Sequence, residues 1–146
     1  MGLLKYFIVD TLLVKIFETR DEAGKEEAKD VANVISKLLS QKDEINIVFA
    51  SAPSQNEFLD NLIKRDIPWE RINAFHLDEY IGLSEDAPQR FAKYLYDKIF
   101  SKVHFKSINY INGNAKDVEK ECKRYENLLR SYPLDIACIG VGENGH

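Results

Sequence analysis

The sequence has 146 residues, of which 45% are hydrophobic and 30% charged, and its formal net charge is −4. These proportions are ordinary for one soluble globular domain, and a chain of this length can bury one substantial core. Acidic and basic residues are interspersed without a block of Lys and Arg. The composition therefore argues against nucleic acid and anionic membranes as partners.

Two short apolar stretches near the N-terminus, residues 6–9 and 12–14, are each followed by a charged residue. Neither approaches the roughly 20 apolar residues of a membrane-spanning helix. No signal-peptide pattern accompanies them. The two cysteines, Cys122 and Cys138, are too few for a disulfide scaffold. We therefore expect buried or half-buried thiols in a reducing cytoplasm.

Apolar residues alternate along the chain between strand-like runs and helical spacing. Strands are predicted, in chain order, at residues 12–17, 45–50, 69–77, 107–111 and 134–139. Helices are predicted at residues 20–41, 55–64, 89–99 and, with Asp117 as N-cap, 117–132. This alternation predicts an α/β fold of three layers, with a mostly parallel, Rossmann-like open sheet and helices on both faces. We expect one domain, residues 1–146.

Ligands of open parallel sheets bind at the carboxyl ends of the strands, so the loops there are the most informative segments. Three such loops carry polar side chains, at residues 51–55, 76–80 and 140–146. The last loop matches the pattern G-x-G-x-x-G of dinucleotide-binding proteins. That function also needs a following helix and an acidic residue about 20 positions on, and the sequence has neither after Gly145. We therefore do not favour dinucleotide binding.

The second loop concentrates two carboxylates, a phenol and an imidazole in five residues, His76 to Tyr80. Taken alone, the segment is better explained as a solvated acidic turn in which Tyr80 covers the edge of the core. The alternative is that an acid here acts as a general base, with a pKa raised by partial burial.

Two segments resemble signatures of the glucosamine-6-phosphate deaminase/isomerase family. Residues 75–83, FHLDEYIGL, resemble its Asp-Glu-Tyr-apolar-Gly segment, and residues 139–146, IGVGENGH, are similar to its glycine turn ending in Gly-His. Their order and spacing also agree with the family, and the resemblance extends from about residue 12 to residue 146. It implies an enzyme that hydrolyses an aminosugar phosphate to a ketose phosphate and ammonia. We expect no cofactor, a small sugar phosphate as ligand, and a cytoplasmic homo-oligomer.

The resemblance also implies roles for individual residues. Asp78 matches the family's general base, and His146 matches a histidine that carries a proton during ring opening, for which an imidazole is suited. Asn144 stands where the best-known members have Asp. It can orient an imidazole by a hydrogen bond, but it cannot stabilise an imidazolium by charge. We expect Glu79 to be a charge in the turn, without a catalytic role.

The first loop departs from the family's Thr-Gly-Ser/Gly-Thr-Pro phosphate loop, since Ala-Pro-Ser-Gln-Asn stands at residues 52–56. Ser51, Ser54 and Gln55 remain candidates for binding phosphate, with Ser54 favoured. The alternative for Ser54 is an ordinary helix N-cap. The family continues beyond its Gly-His turn. We therefore expect residues 1–146 to be an incomplete domain, inactive alone, whose last apolar strand favours association.

Three other functions remain open. One is a 6-phosphogluconolactonase-like hydrolase, which shares the fold and a similar Gly-His turn. Another is a non-catalytic sugar-phosphate-binding module, suggested by Asn144 and the altered phosphate loop. The third is a metal enzyme using His76, Asp78, Glu143 and His146. These four residues lack a recognised ligand spacing, so we expect no metal.

Overall fold

A computed structural model describes residues 2–146 of the chain. The strands in this range are β1 (Leu3–Val9), β2 (Leu12–Phe17), β3 (Ile45–Phe49), β4 (Ile72–His76), β5 (Ser107–Asn109) and β6 (Ile136–Cys138). The α-helices are α1 (Arg20–Leu39), α2 (Asn56–Leu62), α3 (Phe91–Leu95) and α4 (Val118–Ser131). Shorter helical segments comprise two 3₁₀ turns, Pro53–Gln55 and Trp69–Arg71, and a π-helix, Tyr96–Phe100, that continues α3.

Four strands form a parallel sheet in the order β5-β4-β3-β6. In its register, Ile47 of β3 lies between Ala74 of β4 and Ile136 of β6. The predicted parallel sheet is therefore confirmed. Because all four strands run in one direction, their carboxyl ends meet at one edge, and the loops that follow them converge there.

Helices cover both faces of this sheet, as the alternation predicted. On one face, α1, α2 and the α3–π segment pack onto inward side chains of the strands, including Ile47, Phe49 and Ala74. On the other face, Tyr125 of α4 packs against Val48 and Phe75. Adjacent strand residues thus point to opposite layers, which is the expected period of two.

The helix starts follow from side-chain caps. Thr19 and Glu22 form a capping box at the start of α1, in which each side chain bonds to the other's backbone N–H. Asp117 accepts the N–H of Lys120 at 3.0 Å, so its predicted role as the N-cap of α4 is confirmed. The helix predicted at residues 89–99 instead divides into α3 and the π-helix.

The first predicted strand does not join the parallel sheet, so the expectation of a single sheet was wrong. β2 pairs antiparallel with β1 in a separate two-stranded hairpin. Val9 pairs with Leu12, and Asp10 between them has a φ of 53°, in the left-handed region. This conformation lets the chain reverse within two residues and pair with itself before α1 begins.

Two further properties bear on the sequence expectations. Cys138 is buried in β6, as expected, whereas Cys122 is exposed on α4. The expectation was wrong for Cys122, which lies beside Tyr125 and Leu129 at an open cleft on the flank of α4. Within residues 2–146, no helix combines the length and apolar character needed to cross a membrane.

Candidate active site

The three polar loops converge on one cleft of about 460 Å³ at the carboxyl edge of the sheet. Four of the six predicted site residues line it: Ser51, Ser54, Asp78 and His146. The first two follow β3, Asp78 follows β4, and His146 ends the loop after β6. Strand order explains this convergence, because β3 lies between β4 and β6.

The end of β4, two residues before Asp78, is fixed by hydrogen bonds of the His76 side chain and backbone. Its imidazole Nε2 accepts the N–H of Ile111 at 2.7 Å, and its backbone is bonded to the Tyr125 hydroxyl. Burial lowers the pKa of His76 to about 4, so the ring is neutral near pH 7. Since Nε2 accepts a hydrogen bond, the proton lies on Nδ1, which has no hydrogen-bond partner among residues 2–146. The His76 ring thus ties the end of β4 to Ile111.

Asp78 has the electrostatic surroundings of a candidate general base. Partial burial raises the pKa of its carboxyl group above the ordinary value, and the negative charge of Glu79 raises this pKa further. The positive form of His146 acts in the opposite direction. A carboxylate whose pKa moves towards neutrality holds an abstracted proton more readily, which suits acid–base chemistry.

Glu79 is not the solvated charge that the sequence suggested. Its carboxylate is fully buried and accepts the backbone N–H groups of Phe91 at 3.0 Å and Ala92 at 2.9 Å. The chain turns back on itself between residues 80 and 90, and this brings the first turn of α3 onto the carboxylate. Only the fold could reveal this contact, because 12 residues separate Glu79 from Phe91.

The loop after Asp78 is also held against the turn at residues 112–115. The N–H of Gly82 donates to the carbonyl oxygen of Gly113 at 3.0 Å, and the Asn114 side chain donates to the carbonyl oxygen of Leu83 at 2.8 Å. A Cβ atom on Gly113 would lie 2.2 Å from the carbonyl oxygen of Tyr80. Glycine at position 113 is therefore required for this close backbone approach.

The candidate phosphate residues lie where the first and third loops meet. Neither the 3₁₀ turn nor α2 has a side-chain cap, so Ser54 is not the N-cap of either. A Cβ atom on Gly140 would lie 3.0 Å from Ser54 Oγ and 3.5 Å from Gln55 Nε2. Gln55 is buried behind the cleft, and Ser51 Oγ donates to the Phe91 carbonyl oxygen at 3.4 Å.

The third loop forms a compact turn around its glycines. The N–H of Gly142 donates to the carbonyl oxygen of His146 at 2.5 Å, and Gly145 has a φ of 80°. Asn144 Oδ1 accepts the backbone N–H of His146 at 3.3 Å. Asn144 thus contacts the backbone of the histidine and shapes the turn that brings the imidazole to the cleft.

The residues of the metal alternative do not gather into a ligand set. No group of three or more His, Cys, Asp or Glu side chains within residues 2–146 is placed to hold a metal ion. His76 is buried, and its Nε2 already accepts the N–H of Ile111.

Comparisons with known proteins agree with this geometry. The family described as glucosamine-6-phosphate isomerases/6-phosphogluconolactonase matches residues 18–146. The glucosamine-6-phosphate deaminase of Listeria innocua is 34% identical over 119 residues, covering 82% of this chain and 51% of that protein. The chain therefore spans about half the length of this relative.

Two solved structures are similar in fold. A monomeric glucosamine-6-phosphate deaminase superposes with a TM-score of 0.76 at 31% identity, over 88% of this chain and 54% of that one. The 6-phosphogluconolactonase of Thermotoga maritima gives a TM-score of 0.77 at 27% identity, over 84% of this chain and 57% of that one. With its parallel sheet and its two signature loops on one cleft, this chain belongs to the glucosamine-6-phosphate isomerase/6-phosphogluconolactonase family.

Proposed function

We propose that the chain forms the catalytic-base half of an aminosugar-phosphate deaminase/isomerase, acting on glucosamine 6-phosphate or a close analogue. This proposal rests on the position of Asp78. Its carboxylate lies in the same cleft as Ser51, Ser54 and His146, and its pKa is raised. The match to a glucosamine-6-phosphate deaminase over 82% of the chain supports this substrate class.

In the proposed reaction, His146 carries the proton that opens the sugar ring. Asp78 then removes the proton from the carbon that bears nitrogen and returns it to the neighbouring aldehyde carbon, while the aldehyde oxygen gains the proton that the amine loses as the carbon–nitrogen double bond forms. Water adds to the resulting carbon–nitrogen double bond, and ammonia leaves, giving the ketose phosphate. One carboxylate can serve both proton transfers because the two carbons are adjacent.

We further propose that the phosphate group binds between the first and third loops. Ser54 and Ser51 supply hydroxyl donors at the cleft, and Gln55 is buried beside them. Gly140 leaves the space in front of Ser54 Oγ open. A bulkier residue at this position would compete with a ligand oxygen for that space. Calorimetry with inorganic phosphate, comparing the original chain with Ser54→Ala, tests this: unchanged affinity in the variant would exclude Ser54.

The second candidate function is hydrolysis of 6-phosphogluconolactone, favoured by the fold similarity to a lactonase at 27% identity. The two activities give different products. The complete gene product should release ammonia from glucosamine 6-phosphate and leave the lactone at its spontaneous rate of hydrolysis. Acid release from the lactone without ammonia production would reverse the assignment. Binding of the sugar phosphate without either product would indicate a non-catalytic module.

The 146-residue chain alone should lack deaminase activity. It spans about half of its curated relatives, and His146 is exposed in the open cleft. Catalysis requires groups held in a productive geometry. Ammonia release by the purified chain, above a heat-denatured control, would refute this. We also propose a homo-oligomer in a reducing cytoplasm, the latter consistent with two free cysteines.

A further inference from the structure

We propose that Glu79 is a positioning residue for the catalytic base, holding the Asp78 loop on α3 and supplying a fixed negative charge beside Asp78. This inference rests on the proposed function, in which Asp78 transfers the proton. It extends that function by assigning a role to a buried carboxylate that does not line the cleft.

The contacts of Glu79 join the loop to the first turn of α3. Oε1 accepts the N–H of its own neighbour Tyr80 at 2.9 Å and that of Phe91 at 3.0 Å, while Oε2 accepts the N–H of Ala92 at 2.9 Å. These three N–H donors replace the water that the buried carboxylate has lost. A charge in the protein interior requires such hydrogen bonds.

The same contacts connect separate parts of the cleft lining. Phe91 lines the cleft and accepts a hydrogen bond from Ser51 at its carbonyl oxygen. Its ring also packs on Tyr80, with 4.7 Å between ring centroids. Asp78 precedes Glu79 directly in the chain. One buried carboxylate thus connects the loop of Asp78 to Phe91 and Ser51, which also line the cleft.

Glu79 acts on Asp78 through its charge as well as through its anchoring contacts. Charged or titratable groups that influence Asp78 are Glu79 on the same loop and His146 from the third loop. Around Glu79 itself lie Arg90, with Nε 3.8 Å from Oε2, and His76, which burial keeps neutral near pH 7. Arg90 forms a long ion pair with Glu79 and so attenuates its negative charge. The remaining charge keeps the proton on Asp78 to a higher pH.

Comparing two substitutions of Glu79 separates the effect of its anchoring contacts from the effect of its charge. Glu79→Gln removes the charge and turns an NH₂ group towards a backbone N–H, so it disturbs both effects. Glu79→Asp keeps the charge but shortens the side chain by one methylene, so it loosens mainly the contacts with α3. Asp135→Asn is the matched control, because Asp135 is a nearly buried carboxylate that accepts the Asn46 N–H at 2.8 Å at the opposite edge of the sheet.

The test is an NMR titration of the Asp78 carboxyl group in the 146-residue chain, with amide hydrogen exchange at Phe91 and Ala92. Glu79→Gln should lower the pKa of Asp78 and speed exchange at both amides by at least about tenfold. Glu79→Asp should speed exchange with a smaller change in this pKa, and Asp135→Asn should alter neither. An unchanged Asp78 pKa in folded Glu79→Gln would overturn the role of the charge.

A measurement on the unsubstituted chain keeps the proposal testable even if Glu79→Gln fails to fold. The Phe91 and Ala92 amides should exchange more slowly than those of the exposed turn at residues 85–86. Equal exchange rates would overturn the anchoring role. None of these readouts requires turnover. Failure of the deaminase assignment, detected as absent ammonia release, is therefore distinguishable from failure of this inference.

Discussion

The Tyr125 hydroxyl is bonded to both backbone groups of His76, accepting its N–H at 3.1 Å and donating to its carbonyl oxygen at 2.8 Å. This contact joins α4 to the last residue of β4, two positions before Asp78. The strand end that presents the candidate base is thus fixed from the helical layer on the far face of the sheet.

Tyr125→Phe should destabilise the chain by about 1–3 kcal/mol, because it leaves the buried N–H of His76 unpaired. Chemical denaturation measures the loss. Tyr132→Phe is the control, since Tyr132 is 40% exposed, and its free energy of unfolding should change by less than about 0.5 kcal/mol. Equal effects of the two substitutions would show that the Tyr125 hydroxyl does not secure the strand.

His76 should make stability depend on pH. Its pKa is about 4 in the folded chain and about 6.5 when unfolded, so between these values the unfolded state binds more protons. Stability is therefore full above about pH 6.5 and falls as the pH drops towards 4. Burial of the imidazole is the cause.

Denaturation curves across this range for the original chain and for His76→Gln test the dependence. Glutamine can offer an acceptor to the Ile111 N–H but does not titrate, so the slope in this range should decrease. His104→Gln, at an exposed position, is the matched control. If His76→Gln does not alter the dependence of the free energy of unfolding on pH, other groups must cause that dependence.

Gly113→Ala should displace the Asp78 loop, because the new Cβ would lie 2.2 Å from the Tyr80 carbonyl oxygen. Relieving such an overlap typically costs about 1–3 kcal/mol. Gly82→Ala provides the comparison: its φ of 83° is strained for alanine, yet no atom lies within 4 Å of its Cβ position. Both variants should lose stability, but Gly113→Ala should shift the amide NMR signals of Glu79 and Tyr80 more than Gly82→Ala does, because only the Cβ at position 113 meets these residues. Similar spectra for the two variants would contradict the close approach.

The chain should associate through the free edge of β6. This strand is at the end of the sheet order, and the neighbouring apolar residues Ile139 and Val141 are 57% and 81% exposed. Open strand edges with apolar neighbours favour pairing with another chain. Light scattering over a concentration series should show oligomers, and Ile139→Lys should reduce them. A stable monomer at high concentration would exclude this edge as a contact.

Most of the fold could be predicted from the sequence, because period-two and helical spacing mark the parallel sheet and its helices. β1 was missed although its residues are mostly apolar, because neither glycine nor proline marks a hairpin turn before Leu12, and all of residues 3–9 are exposed outside the main core. The pairing of β2 with β1 depends on a turn at Asp10 whose left-handed backbone has no glycine to signal it.

The site was predicted less completely. Asp78, His146, Ser51 and Ser54 could be placed together because they follow neighbouring parallel strands. Glu79 and Tyr125 act through backbone groups distant in sequence, and no local pattern marks such contacts. The burial of Glu79 depends on the path of residues 80–90, which contains no regular element before Phe91.

The most direct test of the catalytic assignment is ammonia release from glucosamine 6-phosphate by the complete gene product and by its Asp78→Asn variant. Asparagine keeps the shape and hydrogen-bonding capacity of the side chain but cannot accept the proton. We predict that kcat falls by at least about 100-fold, the scale of a lost general base. Circular dichroism should show a folded variant. Turnover within a few-fold of the original enzyme would contradict the assignment of Asp78 as the base.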